Sequence, residues 1–338
     1  MRRTPAATIR GLGHRDGYTA HPSRQAPVTS AVSPVQRTRL YGMLFALLAA
    51  FGFSFKAILV KLAYAWQPVD AITLLALRML LALPFFLALA WQARGVGART
   101  RLVAGDWLRL AWLGLTGYYL ASILDFWGLG YINAGLERLI LFLYPTLVVV
   151  FGAWLGARRV AKREACALAL SYGGIALAFA SDLHLATDRG ALLLGSALVF
   201  GSAVAYALYL LASGNTIARV GARRAAACAM LFSTGFVLAH FLATQPIGAL
   251  RQPWPIYGLA LAMAVFSTVL PAVLLAEAIK RIGASQVALL GSTGPVITIY
   301  LGVVMLGEPA TVVQLLGAGL VLAGVLLVTL PGRTTPGA

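Results

Sequence analysis

Long apolar runs alternate with short polar connections from residue 40 almost to the end of the chain. A helix needs about 20 mostly apolar residues to cross the hydrocarbon core of a bilayer. Ten runs approach or exceed that length, so the pattern predicts an all-α polytopic membrane protein. The predicted transmembrane helices cover residues 40–62, 71–91, 108–128, 132–155, 165–181, 190–213, 225–244, 255–278, 284–306 and 311–331.

Residues 1–38 differ from the rest of the chain. They are polar, rich in proline and arginine, and have no apolar period that could form a packed face. This composition predicts a disordered, basic tail on the cytoplasmic side. A transit peptide and a natural start near Met43 are the alternative interpretations.

Composition supports the membrane assignment, and the distribution of the basic residues explains the net positive charge without a nucleic-acid partner. Of the 338 residues, 60% are hydrophobic and 11% are charged, whereas soluble domains have roughly 25% charged residues. The net charge of +17 could indicate a nucleic-acid-binding protein. The basic residues lie instead in short clusters between apolar runs, so a nucleic-acid partner is not expected.

The basic residues predict the orientation of the helices. If the ten helices are correct, 21 lysines and arginines lie in the tail and in the connections on one side, and three lie on the other. Connections rich in lysine and arginine stay in the cytoplasm. Both termini should therefore be cytoplasmic, in the inner (plasma) membrane of a cell, with the lipid bilayer as surroundings.

The two halves of the chain resemble each other. Pro145 and Pro295 are 150 residues apart, as are Ala134 and Ala284, and the glycines at 174 and 324. The repeats would cover residues 40–181 and 190–331, with five helices each. Because five is odd, the second repeat should be inverted relative to the first, an arrangement that recurs in secondary transporters.

The same residues carry a family resemblance. Ala284, Pro295 and Gly307-Glu308 are followed by "QLLGAGLVLAGVLLV", and the first repeat has Ala134, Pro145 and Gly156 in the same places. This framework resembles the EamA-type transporters of the drug/metabolite transporter superfamily. The first repeat departs from it at Ala157, where an acidic residue usually follows the glycine. The resemblance implies a ten-helix bundle and export or exchange of small molecules such as amino acids, other metabolites or toxic compounds.

Five charged residues fall clearly within the predicted helices, away from their ends, and all five are predicted to lie in the outer half of the membrane. Intramembrane charges usually face a bundle interior and mark a functional site. Asp125 with Arg138, and Glu137 with Lys56 or Arg78, are the expected pairs. They predict an outer gate or part of the substrate pathway, although a purely structural lock would place the same charges there.

Polar and aromatic residues extend this candidate pathway. Tyr118, Ser122 and Asp125 share one helical face, and Tyr206 and Tyr209 add hydroxyl groups from the sixth helix. Pro145 and Pro295 are predicted to bend their helices near the midplane, where they would let each helix rock or would improve packing. The predicted pathway comprises Lys56, Arg78, Tyr118, Asp125, Glu137, Arg138, Tyr144, Tyr206, Gln286, Thr293 and Tyr300.

These observations favour a secondary transporter that exports a small metabolite, amino acid or toxic compound by alternating access. A lipid or lipid-linked carrier flippase, and a non-transporting receptor or assembly factor, are the alternatives. The sequence has no nucleophile motif and no histidine or cysteine spacing typical of a metal site. We therefore expect no enzymatic activity, no cofactor and no metal.

Overall fold

The computed structural model describes residues 34–95, 102–155, 162–185 and 187–329, and all regular structure in these ranges is helical. Three π-helical segments, Gly114–Leu120, Val265–Val269 and Gly302–Leu306, and one 3-10 turn, Ile247–Leu250, interrupt or join the α-helices. The α-helices are α1 Pro34–Trp66, α2 Ala71–Gly95, α3 Ala104–Leu113, α4 Ala121–Leu129, α5 Ala134–Leu141, α6 Tyr144–Trp154, α7 Lys162–Leu185, α8 Arg189–Val220, α9 Ala222–Thr244, α10 Trp254–Ala264, α11 Leu270–Gly291, α12 Gly294–Leu301 and α13 Val312–Thr329.

The helices have the length and apolarity of a multi-pass membrane protein. Seven helical stretches in the described part of the chain are long and apolar enough to cross a membrane, and two shorter apolar helices lie at Gly294–Leu306 and Val312–Leu327. The third predicted helix coincides with α3, a π segment and α4, which follow one another without a break. The all-α polytopic class is confirmed, and the count of ten crossings stays a prediction.

The structure corrects two predicted boundaries. Helix α1 begins at Pro34, so residues 34–38 are helical and do not belong to a disordered tail; residues 1–33 lie outside the described residues. Helix α8 continues to Val220, beyond the predicted end at residue 213. Apolar runs mark only the part of a helix that crosses hydrocarbon, whereas the backbone hydrogen bonds continue through polar residues on either side.

Two helices are interrupted at corresponding places in the repeats. Helix α5 ends before a turn at 142–143, and α6 follows with Pro145 in its first turn. Helix α11 ends before a turn at 292–293, and α12 follows with Pro295 in its first turn. Proline is tolerated there because the first N–H groups of a helix have no intrahelical acceptor. Gly283, with φ of 80°, separates the two parts of α11 in the backbone conformation that glycine adopts most easily.

The most extensive helix contacts join one half of the chain to the other. They are α7 with α13, α1 with α11, α2 with α9, and α4 with α8, and a smaller contact joins α5 with α12. When the ten predicted transmembrane segments are numbered along the chain, these contacts join segments 5 and 10, 1 and 8, 2 and 7, 3 and 6, and 4 and 9. Exchanging the two halves means that segments 1–5 and 6–10 trade numbers in order. This converts the 1–8 pair into the 3–6 pair and leaves the other pairs unchanged. This is the contact pattern of two repeats related by a two-fold axis.

The contact between α7 and α13 depends on small residues. A Cβ atom at Gly174 of α7 would lie 2.5 Å from the carbonyl oxygen of Gly317, and one at Gly317 would lie equally close to the carbonyl oxygen of Gly174. Small residues at such positions let two membrane helices approach until their backbones touch. The α7–α13 contact therefore holds one edge of the two repeats together.

Candidate functional site

A buried cluster of charges lies where α1, α4 and α5 meet. The Lys56 ammonium group is 2.7 Å from the Asp125 carboxylate and 3.8 Å from the Glu137 carboxylate. The Asp125 and Glu137 side chains are 1% and 0% exposed, and Lys56 is 19% exposed. One cation from the first helix therefore bridges two carboxylates from two other helices. We call these three residues the charged triad.

The pairing differs in part from the expected one. Glu137 has Lys56 within ion-pair distance as predicted, but the partner of Asp125 is Lys56 and the expected Asp125–Arg138 pair is not formed. Neighbouring residues of a helix point about 100° apart, and the Arg138 guanidinium lies against Gly294 and the Phe142 ring. Arg78, on α2, interacts electrostatically with Asp125 and stacks over the Phe126 ring at 5.5 Å.

Arg138 lies at the break between α11 and α12. Its guanidinium carbon is 5.3 Å from the centre of the Phe142 ring. A Cβ atom added to Gly294 would lie 3.1 Å from Nη2 of Arg138, so a side chain there would displace the guanidinium by a few tenths of an ångström. The Ser54 hydroxyl of α1 donates to the Gly294 carbonyl at 3.1 Å. Three helices from both repeats thus converge on Gly294.

Tyrosines extend from Arg138 in a continuous series of ring contacts. Phe142 contacts Tyr144 at 5.9 Å between ring centres, and Tyr144 contacts Tyr206 edge to face at 5.0 Å. Tyr206 stacks on Tyr209 at 5.4 Å. Tyr209 in turn packs against Tyr118, with their hydroxyl oxygens 3.2 Å apart. The structure brings Tyr118, Tyr144 and Tyr206 together, and Arg138 lies between them and the charged triad. We call the four tyrosines the tyrosine cluster.

Three predicted residues of the second repeat do not join the charged triad or the tyrosine cluster. Gln286 and Tyr300 are exposed, and Thr293, in the turn before α12, donates its hydroxyl to the Leu290 carbonyl at 2.7 Å. Within the described chain, no hydrogen bond or ion pair connects these three to the triad or the tyrosine cluster. Their spacing of seven residues assumes one unbroken helix, and the turn at 292–293 changes the direction in which later side chains point.

Sequence reasoning missed a second polar cluster beside α5. Both carboxylate oxygens of Glu308 accept hydrogen bonds from the Ala134 N–H at 3.0 Å, and the Lys61 ammonium group is 3.9 Å from one of them. Asn133 caps α5 by accepting from the Leu136 N–H and donates to Asp182 at 2.8 Å. Asparagine just before an apolar helical run is a recognisable N-cap signal. The position of Glu308, 174 residues away, had no such local signal.

A separate apolar groove of about 680 Å³ lies between α2, α3 and α9. Trp107, Leu231, Phe232 and Phe236 supply much of its surface, and Arg224 lies at one end. None of the residues predicted for the substrate pathway lines this groove, so it is distinct from the charged triad and the tyrosine cluster.

Comparison with known proteins agrees with the fold and the repeat. The model of the EamA-like transporter family matches residues 40–180 and again residues 193–330. The chain is 32% identical to the uncharacterized transporter YcbK of Bacillus subtilis, over 82% of this chain and 89% of that protein. It is also 32% identical to the threonine/homoserine exporter RhtA of Escherichia coli K12, over 42% of this chain and 47% of that protein.

A solved crystal structure has the same fold. It superposes with a TM-score of 0.60 at 19% identity, over 85% of this chain and 95% of that one. The two-fold contact pattern, the interrupted helices and the double match of the family model lead to one assignment. This chain belongs to the EamA-like transporter family.

Proposed function

We propose that this protein is a secondary transporter that exports a small metabolite, amino acid or toxic compound across the plasma membrane by alternating access. The observation that carries the proposal is the bridge from Lys56 to Asp125 and Glu137, buried between three helices. The proposed topology has ten transmembrane helices in two inverted repeats, with both termini in the cytoplasm. In this arrangement the charged triad lies in the outer half of the membrane.

The triad has the properties of a gate because its parts belong to different helices. Charged groups are costly to bury, and the cost is reduced while opposite charges remain in contact. If α1 moves relative to α4 and α5, the bridge breaks, and the carboxylates need water or a substrate cation in place of Lys56. A closed outer gate is therefore stable when dry, and its opening is coupled to entry of water or substrate.

The interrupted helices supply the flexible points that such motion requires. Pro145 and Pro295 begin the second parts of two helices that correspond in the repeats. Binding sites of inverted-repeat transporters lie near such discontinuous helices. We propose that α6 and α12 rock about these breaks, and that the tyrosine cluster lines the pathway on the inner side of the triad.

Efflux from intact cells tests the proposal. The name of the relative RhtA makes L-threonine and L-homoserine the first compounds to measure, followed by a panel of other amino acids and toxic amines. Cells producing the parent protein should release at least one of these faster than cells with an empty vector. Lys56→Gln should abolish the difference. Lys280→Gln, which changes an exposed residue paired with Glu277, serves as the matched control and should not.

Two results would contradict the proposal. Equal efflux by the parent and Lys56→Gln proteins, at equal amounts in the membrane, would mean that the triad is not part of the pathway. Movement of labelled lipid between leaflets of proteoliposomes, with no efflux of any compound in the panel, would favour a flippase.

A further inference from the structure

The place where Arg138 meets the first turn of α12 has the features of an anion site. Helix α12 begins at Gly294 in the interior of the protein, after the break at 292–293. The start of a helix carries partial positive charge, and interrupted membrane helices use it to bind anionic groups of substrates. The Arg138 guanidinium lies against this start, with Nη2 3.1 Å from the place that a Cβ atom on Gly294 would take.

Arg138 lies over the Phe142 ring and interacts electrostatically with Glu137, but its buried Nε donor lacks an acceptor within the described residues. It is 9% exposed, it forms no ion pair or hydrogen bond within the described residues, and its Nε atom is fully buried. A guanidinium group offers five N–H donors in a planar arrangement that matches a carboxylate. Buried donors of this kind are normally satisfied, so an unsatisfied one requires an explanation. A carboxylate bound beside Arg138 at the start of α12 would supply the missing acceptor.

The buried charged residues around Arg138 have a net positive charge, as binding of an anion requires. With ordinary ionisation, Lys56, Arg78 and Arg138 bring three positive charges, and Asp125 and Glu137 bring two negative ones. Lys56 lies within ion-pair distance of both carboxylates, and Arg78 interacts electrostatically with Asp125. The five groups together therefore carry one net positive charge, and one carboxylate bound at Arg138 would make the buried group of charges neutral.

We propose that Arg138 and the first turn of α12 form the subsite for a substrate carboxylate. The class of substrate is a small carboxylic acid, with an amino acid as its most common biological form. The body of the molecule extends toward Tyr144 and Tyr206, which interact electrostatically with Arg138. Because α5 and α12 belong to different repeats, a carboxylate held between them would also connect the repeats in the loaded state. This inference rests on the proposed transport function and specifies its substrate.

Pairs of ligands that differ only in the carboxylate test the subsite on the unaltered protein. Purified full-length protein is titrated with L-threonine and L-threoninamide, L-leucine and L-leucinamide, and L-phenylalanine and L-phenylalaninamide, with lactate and lactamide as a pair that lacks the amine. Affinity is measured from the ligand-dependent rise in unfolding temperature. For at least one pair the acid should bind at least tenfold more tightly than the amide. If no acid binds better than its amide, the inference is wrong.

Substitutions then assign the carboxylate to Arg138. Arg138→Gln should weaken binding of the acid by roughly 10- to 100-fold, the range for a hydrogen bond to a charged group, and leave the amide unchanged. Arg138→Lys should retain part of the preference. Gly294→Ala should also weaken binding of the acid, because the added methyl group would crowd Nη2 of Arg138. Gly173→Ala, a glycine with open space beside it, is the matched control. An unchanged acid preference in Arg138→Gln would overturn the assignment.

The binding measurement separates this inference from the proposed function. Acid-selective binding that depends on Arg138, without efflux of that acid, would support the subsite and contradict export. Efflux of a compound without a carboxylate, unaffected by Arg138→Gln, would support export and contradict the subsite.

Discussion

Both oxygens of the Glu308 carboxylate lie 3.0 Å from the backbone nitrogen of Ala134. Glu308 is in the connection between α12 and α13, and Ala134 is the first residue of α5. A carboxylate at a helix start accepts from N–H groups that lack intrahelical acceptors and interacts favourably with the helix dipole. The acid of the second repeat thus stabilises the helix that carries Glu137 and Arg138 in the first.

This contact predicts that Glu308→Gln destabilises the protein. The amide keeps the size but loses the charge that faces the Ala134 N–H and Lys61, so the loss should be about 1–2 kcal/mol. It is measured as a lower unfolding temperature in detergent. Glu277→Gln, which removes an exposed partner of Lys280 and Arg281, is the control and should have little effect. Equal unfolding temperatures for the two variants would mean that Glu308 does not stabilise α5.

The charged triad predicts an order of severity among substitutions. Lys56→Met leaves two buried carboxylates without their cation and should cost about 3–5 kcal/mol, whereas Asp125→Asn leaves Lys56 beside Glu137 and should cost less. The double variant Lys56→Met, Asp125→Asn should be more stable than Lys56→Met alone, because one of the unpaired charges is removed. Thermal unfolding and the yield of monodisperse protein measure this order. A double variant less stable than both singles would contradict a mutual bridge.

The α7–α13 contact predicts different effects for neighbouring glycines. Gly174→Ala places a methyl group against the Gly317 carbonyl and should destabilise by about 1–3 kcal/mol, as overpacking does. Gly173→Ala and Gly319→Ala, where the new methyl group meets open space, should be neutral or slightly stabilising because alanine favours helix more than glycine. Unfolding temperatures of the three variants test the contact, and a stable Gly174→Ala protein would contradict close backbone packing.

Helix α8 offers a direct test of orientation. Its 32 residues would extend roughly 48 Å at 1.5 Å per residue, more than the hydrocarbon core, so its ends should lie on opposite sides of the membrane. In a variant with Cys166 and Cys228 replaced, a cysteine at Asp188 should react with an impermeant maleimide on intact cells. A cysteine at Arg223 should react only after the membrane is opened. The reverse pattern would show that the orientation predicted from the basic residues is wrong.

The sequence was sufficient for several features because each depends on local composition. Apolar runs of about 20 residues identify the membrane class without knowledge of their neighbours. The recurrence of Ala134, Pro145 and Gly174 after 150 residues identified the repeat, which the double match of the family model supports. The charges were recognisable as unusual because lysine, aspartate and glutamate are rare inside apolar helices.

The partners of those charges could not be found in the same way. Hydropathy estimates the depth of a residue but not the direction in which it faces or the helix beside it. Arg138 and Asp125 had compatible depths, yet the long Lys56 side chain reaches both carboxylates and Arg138 points to Gly294. The turn at 292–293 likewise changed the phase of α12, so Gln286, Thr293 and Tyr300 do not continue one polar face.

The sequence by itself therefore determined the class of protein, the internal repeat and the set of unusual buried charges. Only the tertiary structure decided that Lys56 bridges Asp125 and Glu137, that Glu308 caps α5, and that Arg138 meets the start of α12. The physical reason is the range of the interactions involved. Burial in lipid acts on each segment separately, whereas an ion pair or a cap depends on which helices lie side by side and how each is rotated about its axis.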